Sequence, residues 1–197
     1  GVGNLIQQRA KVDEEHLHSE TGRGSLVIYT GTHRRYIQMA EQISQDLDGA
    51  MEGDVLMLTA AHTNDLCEGL LDSTTEAQRE EQWPLEAEAR RADKLNYRYP
   101  GVGGESYQDL VSRCSELCTM LEHSRGNSLV ICNRAVYRVV VGYFLGKTIE
   151  ELPFLKVEPG VLELRRKHNG FYKTQLDVNM GKSTSAVGVG SSILKDM

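Results

Sequence analysis

The run SLVICNRAVYRVVVGYFLG, residues 128–146, constrains this chain more than any other stretch. Ser128 to Cys132 reads as a short apolar strand, and Val136, Val139, Val140, Tyr143 and Phe144 then repeat at helical spacing. Only Asn133 and Arg134 separate the two patterns. A strand that opens a helix through two polar residues is half of a parallel βα unit. Its helix start aims free backbone N–H groups and the positive end of the dipole at any anion placed there. Asn133 has a second use, because asparagine is a preferred N-cap and is satisfied in that role with no ligand.

The same alternation recurs along the chain. GSLVIYTGTHRR reads as strand, turn and helix start, Arg35 to Leu47 continues as helix, and DVLMLTAA is a second apolar run. Residues 7–20 have the pattern of a solvated helix. Residues 75–94 are highly charged and helical in pattern, interrupted at Pro84. Ser106 to His123 carries one apolar stripe of Leu110, Cys114, Leu117 and Leu121. VLELRRK and FYKTQLDV predict an antiparallel hairpin turning at Asn169 and Gly170. Strands alternating with helices of this length predict an α/β protein with a mostly parallel central sheet covered on both faces, its ligands at the carboxyl ends of the strands.

A length of 197 residues predicts one domain. From Met180 onward the sequence is small, polar and aperiodic, the pattern of a flexible tail. Twenty-two Lys and Arg against 28 Asp and Glu leave a net charge of −6, which argues against a nucleic-acid or anionic-membrane partner. No segment approaches 18 consecutive apolar residues, and no secretory h-region opens the chain. Cys67, Cys114, Cys118 and Cys132 lie in or beside apolar segments without CxxC spacing, the pattern of free buried thiols in a reducing compartment.

Three basic groups are candidates for holding an anion. Arg34 and Arg35 follow a Thr-Gly turn, where a guanidinium can clamp a phosphate or merely start a solvated helix. Arg90, Arg91 and Lys94 share a charged helix end, for which a solvated face is the plain alternative. Arg134 and Arg138 are one turn apart at the start of a helix leaving a buried strand, so both can face one anion-sized space. MGKST at residues 180–184 lacks the first glycine of a phosphate-binding loop, since Leu176 stands five residues before Gly181. His18, in LHSE, lies in a polar helical pattern and not at a strand end.

Several stretches together resemble the fructose-2,6-bisphosphatase domain of the bifunctional 6-phosphofructo-2-kinase/fructose-2,6-bisphosphatases, within the histidine phosphatase superfamily. They are YTGTHRRYIQMAE, LCEGL, ARRADKLNYRYP, GESYQDLV, SLVICNRAVYRVVVGYFLGKTIEELPFLK and VLELR. The resemblance implies a three-layer α/β/α, phosphoglycerate-mutase-like fold over residues 1–179, with residues 180–197 as the tail. It implies metal-free phosphoryl transfer. A histidine in an Arg-His-Gly segment attacks phosphorus, a second histidine and two arginines hold the phosphoryl oxygens, and a glutamic acid protonates the leaving sugar oxygen.

Carried over position by position, the first histidine's segment is expected to precede Gly1, so the first, nucleophile-bearing strand is expected to be missing. Asn133 stands in place of the second histidine, Arg134 in place of a glutamine, and Ala61 in place of the acid. Arg35 matches a phosphoryl-binding arginine. Arg90, Lys94, Tyr107 and Arg138 match the binders of the sugar phosphate, while Asp72 replaces a substrate-binding tyrosine and would repel a phosphate.

The resemblance therefore implies a cytoplasmic, degenerate bisphosphatase with no metal or cofactor of its own, ATP and magnesium entering only with an attached kinase domain. Fructose 6-phosphate or fructose 2,6-bisphosphate, the kinase domain of the same chain and a second copy are the expected partners. A working phosphatase with a phosphohistidine intermediate and a purely structural module for the kinase are the alternatives.

Overall fold

The computed structural model describes residues 6, 25–48, 53–124, 126–158, 160–168 and 170–176. Within them β1 (Leu26–Thr30) pairs in parallel with β2 (Val55–Thr59) on one side and β3 (Asn127–Ile131) on the other. Ile28 stands level with Met57 and Leu129, and Tyr29 with Leu58 and Val130. Because side chains alternate along a strand, each such row belongs to one face of the sheet.

Helices cover both faces, which makes three layers. On one face Leu26, Ile28 and Ile131 pack against Tyr36, Ala40, Ile43 and Leu47 of α1 (Arg34–Leu47), a spacing of four, three and four that keeps one stripe inward. On the other face Tyr29, with Val27, Leu58 and Val130, meets α4 (Tyr107–His123) and α5 (Arg134–Phe144). Leu110, Cys114 and Leu117 of α4 and Val136 of α5 are fully buried there. Each such aliphatic side chain contributes roughly 1.5–3 kcal/mol relative to exposure.

Local chemistry sets the helix ends. Ser106 and Asp109 form a capping box at the start of α4, the Ser106 hydroxyl accepting from the Asp109 N–H while the Asp109 carboxylate accepts from the Ser106 N–H. Thr75 and Gln78 do the same for α2 (Glu76–Gln82), and Pro84 opens α3 (Pro84–Ala92) at its first turn, where a missing N–H costs nothing. The hairpin appears as β4 (Val161–Lys167) with β5 (Gly170–Leu176), attached through a Phe144–Phe171 ring contact at 4.7 Å.

Four details differ from the sequence expectation. The third strand begins and ends one residue earlier, at Asn127 and Ile131, and among the described residues it lies beside the central β1. Apolar content marked both strands equally, and only pairing distinguishes centre from flank. Tyr143 is about half exposed, its hydroxyl donating to Glu122, whereas Val141 and Gly142 are buried. That second buried face of α5 is made by the 3-10 turn Leu152–Phe154, a contact that helical periodicity does not reveal. Finally, Cys67 is exposed, while Cys114 and Cys118 are buried and Cys132 is partly so; all four are free. The solvated helix of residues 7–20 and the tail lie outside the described residues.

Candidate functional site

Parallel pairing carries the ends of all three strands to one edge of the sheet. There the turn after β1, the segment after β2 and the Asn133 junction after β3 meet. Asn133 is extended, and its side-chain carbonyl accepts the Val136 N–H at 2.9 Å, so its oxygen is committed to capping α5. Arg134 is exposed. Arg138, one turn on, is half-buried, its Nε donating to the Leu155 carbonyl at 2.8 Å and its Nη1 to the Tyr107 hydroxyl at 3.0 Å.

Lys94, just past the end of α3, reaches the same place. Its ammonium donates to the Pro153 carbonyl at 2.7 Å and lies 5.9 Å and 5.3 Å from the ring centres of Tyr107 and Phe154. Burial pushes the Lys94 pKa down to about 8. The nearby charges of Arg138, Arg90 and Arg134 push the same way, and Glu76 opposes them. Four cations therefore share one region, and Arg90, Lys94, Arg134 and Arg138 have no salt-bridge partner among the described residues.

Arg90 is aimed by Tyr99, whose hydroxyl accepts from its Nε at 2.8 Å. Tyr99 is buried because Gly104 lets the chain fold over it, and a Cβ there would sit 2.0 Å from the Tyr99 carbonyl oxygen. A cleft of about 250 Å³ opens beside these groups, lined by residues of α2 and α3 and by Lys94, Tyr97 and Phe154. Among the described residues no histidine, cysteine or serine lines it, while Glu76, Glu80 and Glu86 do. Arg91 lines the same cleft but is mostly exposed and pairs with Glu80, so of the three basic residues at that helix end it fits the solvated-face alternative best.

Two further arginines, neither singled out from the sequence, hold the walls. Arg79 pairs with Glu68 and also donates to the carbonyls of Leu71 and Thr74. Arg113 pairs with Glu105 and donates to the carbonyls of Ala61, His62, Asn64 and Asp65, fixing the segment after β2. Both come from charged helical stretches where a solvated face is the default, so only their long-range partners mark them.

The remaining expected positions have other partners. Arg35 is mostly exposed and pairs with Asp65, whose other oxygen accepts the Tyr36 hydroxyl at 2.5 Å. Ala61 is exposed in the 3-10 turn Ala61–Thr63, held by its own carbonyl. Asp72 is exposed, its carboxylate accepting the Ser73 N–H at 3.0 Å, and it does not line the cleft. Among the described residues no group of three or more His, Cys, Asp or Glu is placed to hold a metal ion, and no helix is long and apolar enough to cross a membrane.

Fold and sequence together define the class. The chain belongs to the histidine phosphatase superfamily (branch 1), whose family model matches residues 14–177. Within it the relatives are specific. Over 131 residues the chain is 39% identical to 6-phosphofructo-2-kinase/fructose-2,6-bisphosphatase 4 of Rattus norvegicus, covering 66% of this chain and 25% of that protein. Over 146 residues it is 35% identical to 6-phosphofructo-2-kinase 1 of Saccharomyces cerevisiae, covering 72% of this chain and 16% of that one. The chain thus spans a quarter or less of the length of these relatives.

Among solved structures, the fold is similar to a mycobacterial glucosyl-3-phosphoglycerate phosphatase in complex with inorganic phosphate. The TM-score is 0.55 and the identity 16%, covering 89% of this chain and 83% of the other. It is likewise similar to Bacillus stearothermophilus YhfR, with a TM-score of 0.55 and 14% identity over 86% and 80% of the two chains.

Proposed function

We propose that this chain is the bisphosphatase-like part of a 6-phosphofructo-2-kinase/fructose-2,6-bisphosphatase-type protein. On this reading it holds fructose 6-phosphate, or that part of fructose 2,6-bisphosphate, through Arg90, Lys94, Tyr107 and Arg138 without hydrolysing it. The observation that carries the reading is the contrast within one region. Three arginines with no salt-bridge partner among the described residues surround the Lys94 amine, while Asn133, in the position of a histidine, is used as a helix cap.

The chemistry follows from the side chains. An amide nitrogen has no basic lone pair, so Asn133 can neither become cationic nor accept phosphorus. Loss of one electrostatic donor costs about 10²–10³ in rate, and loss of a general acid, for which Ala61 offers no group, about 10²–10⁴. Binding does not require either group. The attached kinase domain would bring ATP and magnesium, and the cytoplasm is the compartment we propose, consistent with four free thiols.

Incubation of the chain with fructose 2,6-bisphosphate should release no phosphate above a blank and trap no phosphohistidine, while titration calorimetry detects binding of fructose 6-phosphate. Turnover would defeat the inactive reading, and a folded chain that gives no heat with millimolar ligand would leave only a structural role.

Self-association is proposed on separate grounds. Among the described residues β2 and β3 each pair with β1 alone, and Leu56 on β2 is half exposed, a situation that favours strand pairing with a second copy. A monomeric mass by light scattering at high concentration would exclude it.

A further inference from the structure

We infer that Lys94 is a carbonyl-trapping site, whose neutral amine condenses with the aldehyde of a small phosphorylated carbonyl compound drawn in by Arg90, Arg134 and Arg138. The inference rests on the anion-binding half of the proposed function and adds a covalent step that the reading itself does not contain.

The geometry supplies three requirements. First, the amine must be reachable, and Lys94 lines the 250 Å³ cleft beside Arg90 and Phe154. Second, its lone pair must be free once it is neutral. The contact to Pro153 is a donation from nitrogen to a carbonyl, which a neutral amine keeps with one N–H while the lone pair points elsewhere. Third, the ammonium must be held weakly as a cation. The charged and titratable groups around it are Glu76, Arg79 and Glu80 of α2, Glu86, Arg90 and Arg91 of α3, Tyr97 beyond it, Tyr107 of α4, and Arg134 and Arg138 of α5. Arg79 pairs with Glu68, Arg91 with Glu80 and Tyr97 with Glu86, which leaves Arg90, Arg134 and Arg138 acting on the ammonium against Glu76.

Other lysines are arranged in the opposite way. Lys147 pairs with Glu151, and Lys156 pairs with Glu158, which pushes the Lys156 pKa up. Before any phosphate binds, with Lys94 at about 8, roughly a tenth of its amine is neutral at pH 7, about two orders of magnitude more than for an ordinary lysine.

The step balances without an added oxidant or reductant. The amine lone pair attacks the carbonyl carbon, a C–N bond forms, and the nitrogen proton passes to the former carbonyl oxygen to give a carbinolamine. Loss of that hydroxyl with a second nitrogen proton, as water, leaves the C=N imine. The bound phosphate makes the encounter intramolecular, so the aldehyde sits at high effective concentration over the amine.

Pyridoxal 5′-phosphate tests the inference, with borohydride reduction to fix the imine and peptide mapping to locate it. The adduct should form on Lys94 at least tenfold faster than on Lys147, Lys156 or Lys173. The rate should rise with pH above about 8, where the amine gives up the proton that a bound phosphate helps it hold, fall when inorganic phosphate competes, and drop severalfold with pyridoxal, which lacks the phosphate. In Lys94→Arg, shown folded by circular dichroism, the fast adduct should disappear.

Even labelling of all exposed lysines, or equal rates for pyridoxal and its phosphate, would overturn the inference. A calorimetric titration of the same preparation with fructose 6-phosphate separates the two readings. Labelling of Lys94 without sugar-phosphate heat removes the proposed function alone, and heat without selective labelling removes the carbonyl trap alone.

Discussion

The Nη1 of Arg138 donates to the hydroxyl of Tyr107 across 3.0 Å, tying the start of α5 to the start of α4. The same guanidinium donates to the Leu155 carbonyl, so one side chain joins three segments around the cation cluster. Arg138→Ala should therefore destabilise the fold by about 1–3 kcal/mol, leaving the Leu155 carbonyl and the Tyr107 hydroxyl without these partners. Tyr107→Phe removes only one of the two bonds and should cost about 1 kcal/mol. For a chain of this size each kcal/mol moves the midpoint by about 2–4 °C. Thermal melts that rank Tyr107→Phe as the more damaging change would contradict this account.

Asn133 predicts a ranking set by capping and not by catalysis. Asn133→Asp should keep most of the stability, because aspartate caps as well as asparagine and its charge suits the helix start. Asn133→Ala should lose about 1 kcal/mol, from a lost partner for the Val136 N–H. Asn133→His should also be less stable than the native chain, and should release no phosphate from fructose 2,6-bisphosphate. Equal melting of Asn133→Ala and the native protein would show that the cap carries no weight.

Gly142 sits where α5 meets the 3-10 turn Leu152–Phe154. A Cβ added there would lie 2.1 Å from the Leu152 Cδ2, and Leu152 is itself buried. Alanine normally stabilises a helix interior relative to glycine by roughly 0.5–1 kcal/mol. Here overpacking should win, and Gly142→Ala should destabilise by about 1–3 kcal/mol. Chemical denaturation in urea checks the sign directly, since a more stable alanine variant would mean that Leu152 has room to move.

Arg113→Ala should be among the most damaging single changes at the sheet edge. It would leave Glu105 without its guanidinium partner and remove the donor shared by four carbonyls between Ala61 and Asp65. A loss of about 3 kcal/mol is expected for breaking such a partly buried ion pair and its attached bonds. Hydrogen exchange should show the loss concentrated in the segment after β2 before global unfolding sets in.

The three-layer architecture was legible because each element announced itself by period. The apolar run before Thr30, the helix over Arg35 to Leu47 and the stripe of α4 all followed from the local pattern. The junction at Asn133 was legible for the same reason, since a capping residue between a strand and a helix has a local signature. What spacing could not show was long-range. The inward turn of Lys94 toward Pro153 spans 59 positions, and Arg113 reaches a loop about 50 positions away. In both cases a charged residue in a charged segment looks solvated until its distant carbonyl partners are known. Gly142 failed to stand out for a related reason, because its packing partner Leu152 belongs to a segment with no periodicity of its own.

Lys94 makes ligand binding depend on pH in a direction fixed by its surroundings. Its pKa in the folded chain, about 8, lies below the ordinary value of 10.5. Between those two values the unfolded chain binds more protons than the folded one, so this residue makes stability rise with pH across that window. Lys94→Met should accordingly be more stable than the native chain relative to its own high-pH value below about pH 8, the difference closing towards pH 10.5. A bound phosphate reverses the penalty by supplying the missing negative charge, which raises the Lys94 pKa and draws in a proton. Binding of fructose 6-phosphate should thus be strongest below pH 8 and weaken above it, with proton uptake visible as a heat that changes between buffers of different ionisation enthalpy. Each charge-assisted contact is worth about 1.5–3 kcal/mol, so Lys94→Ala and Arg138→Ala should each weaken binding about tenfold or more. Added salt should weaken it further in the native chain and less in either variant, because fewer charges remain to be screened. Affinity that is flat from pH 6 to 10, with no buffer-dependent heat, would separate Lys94 from the ligand.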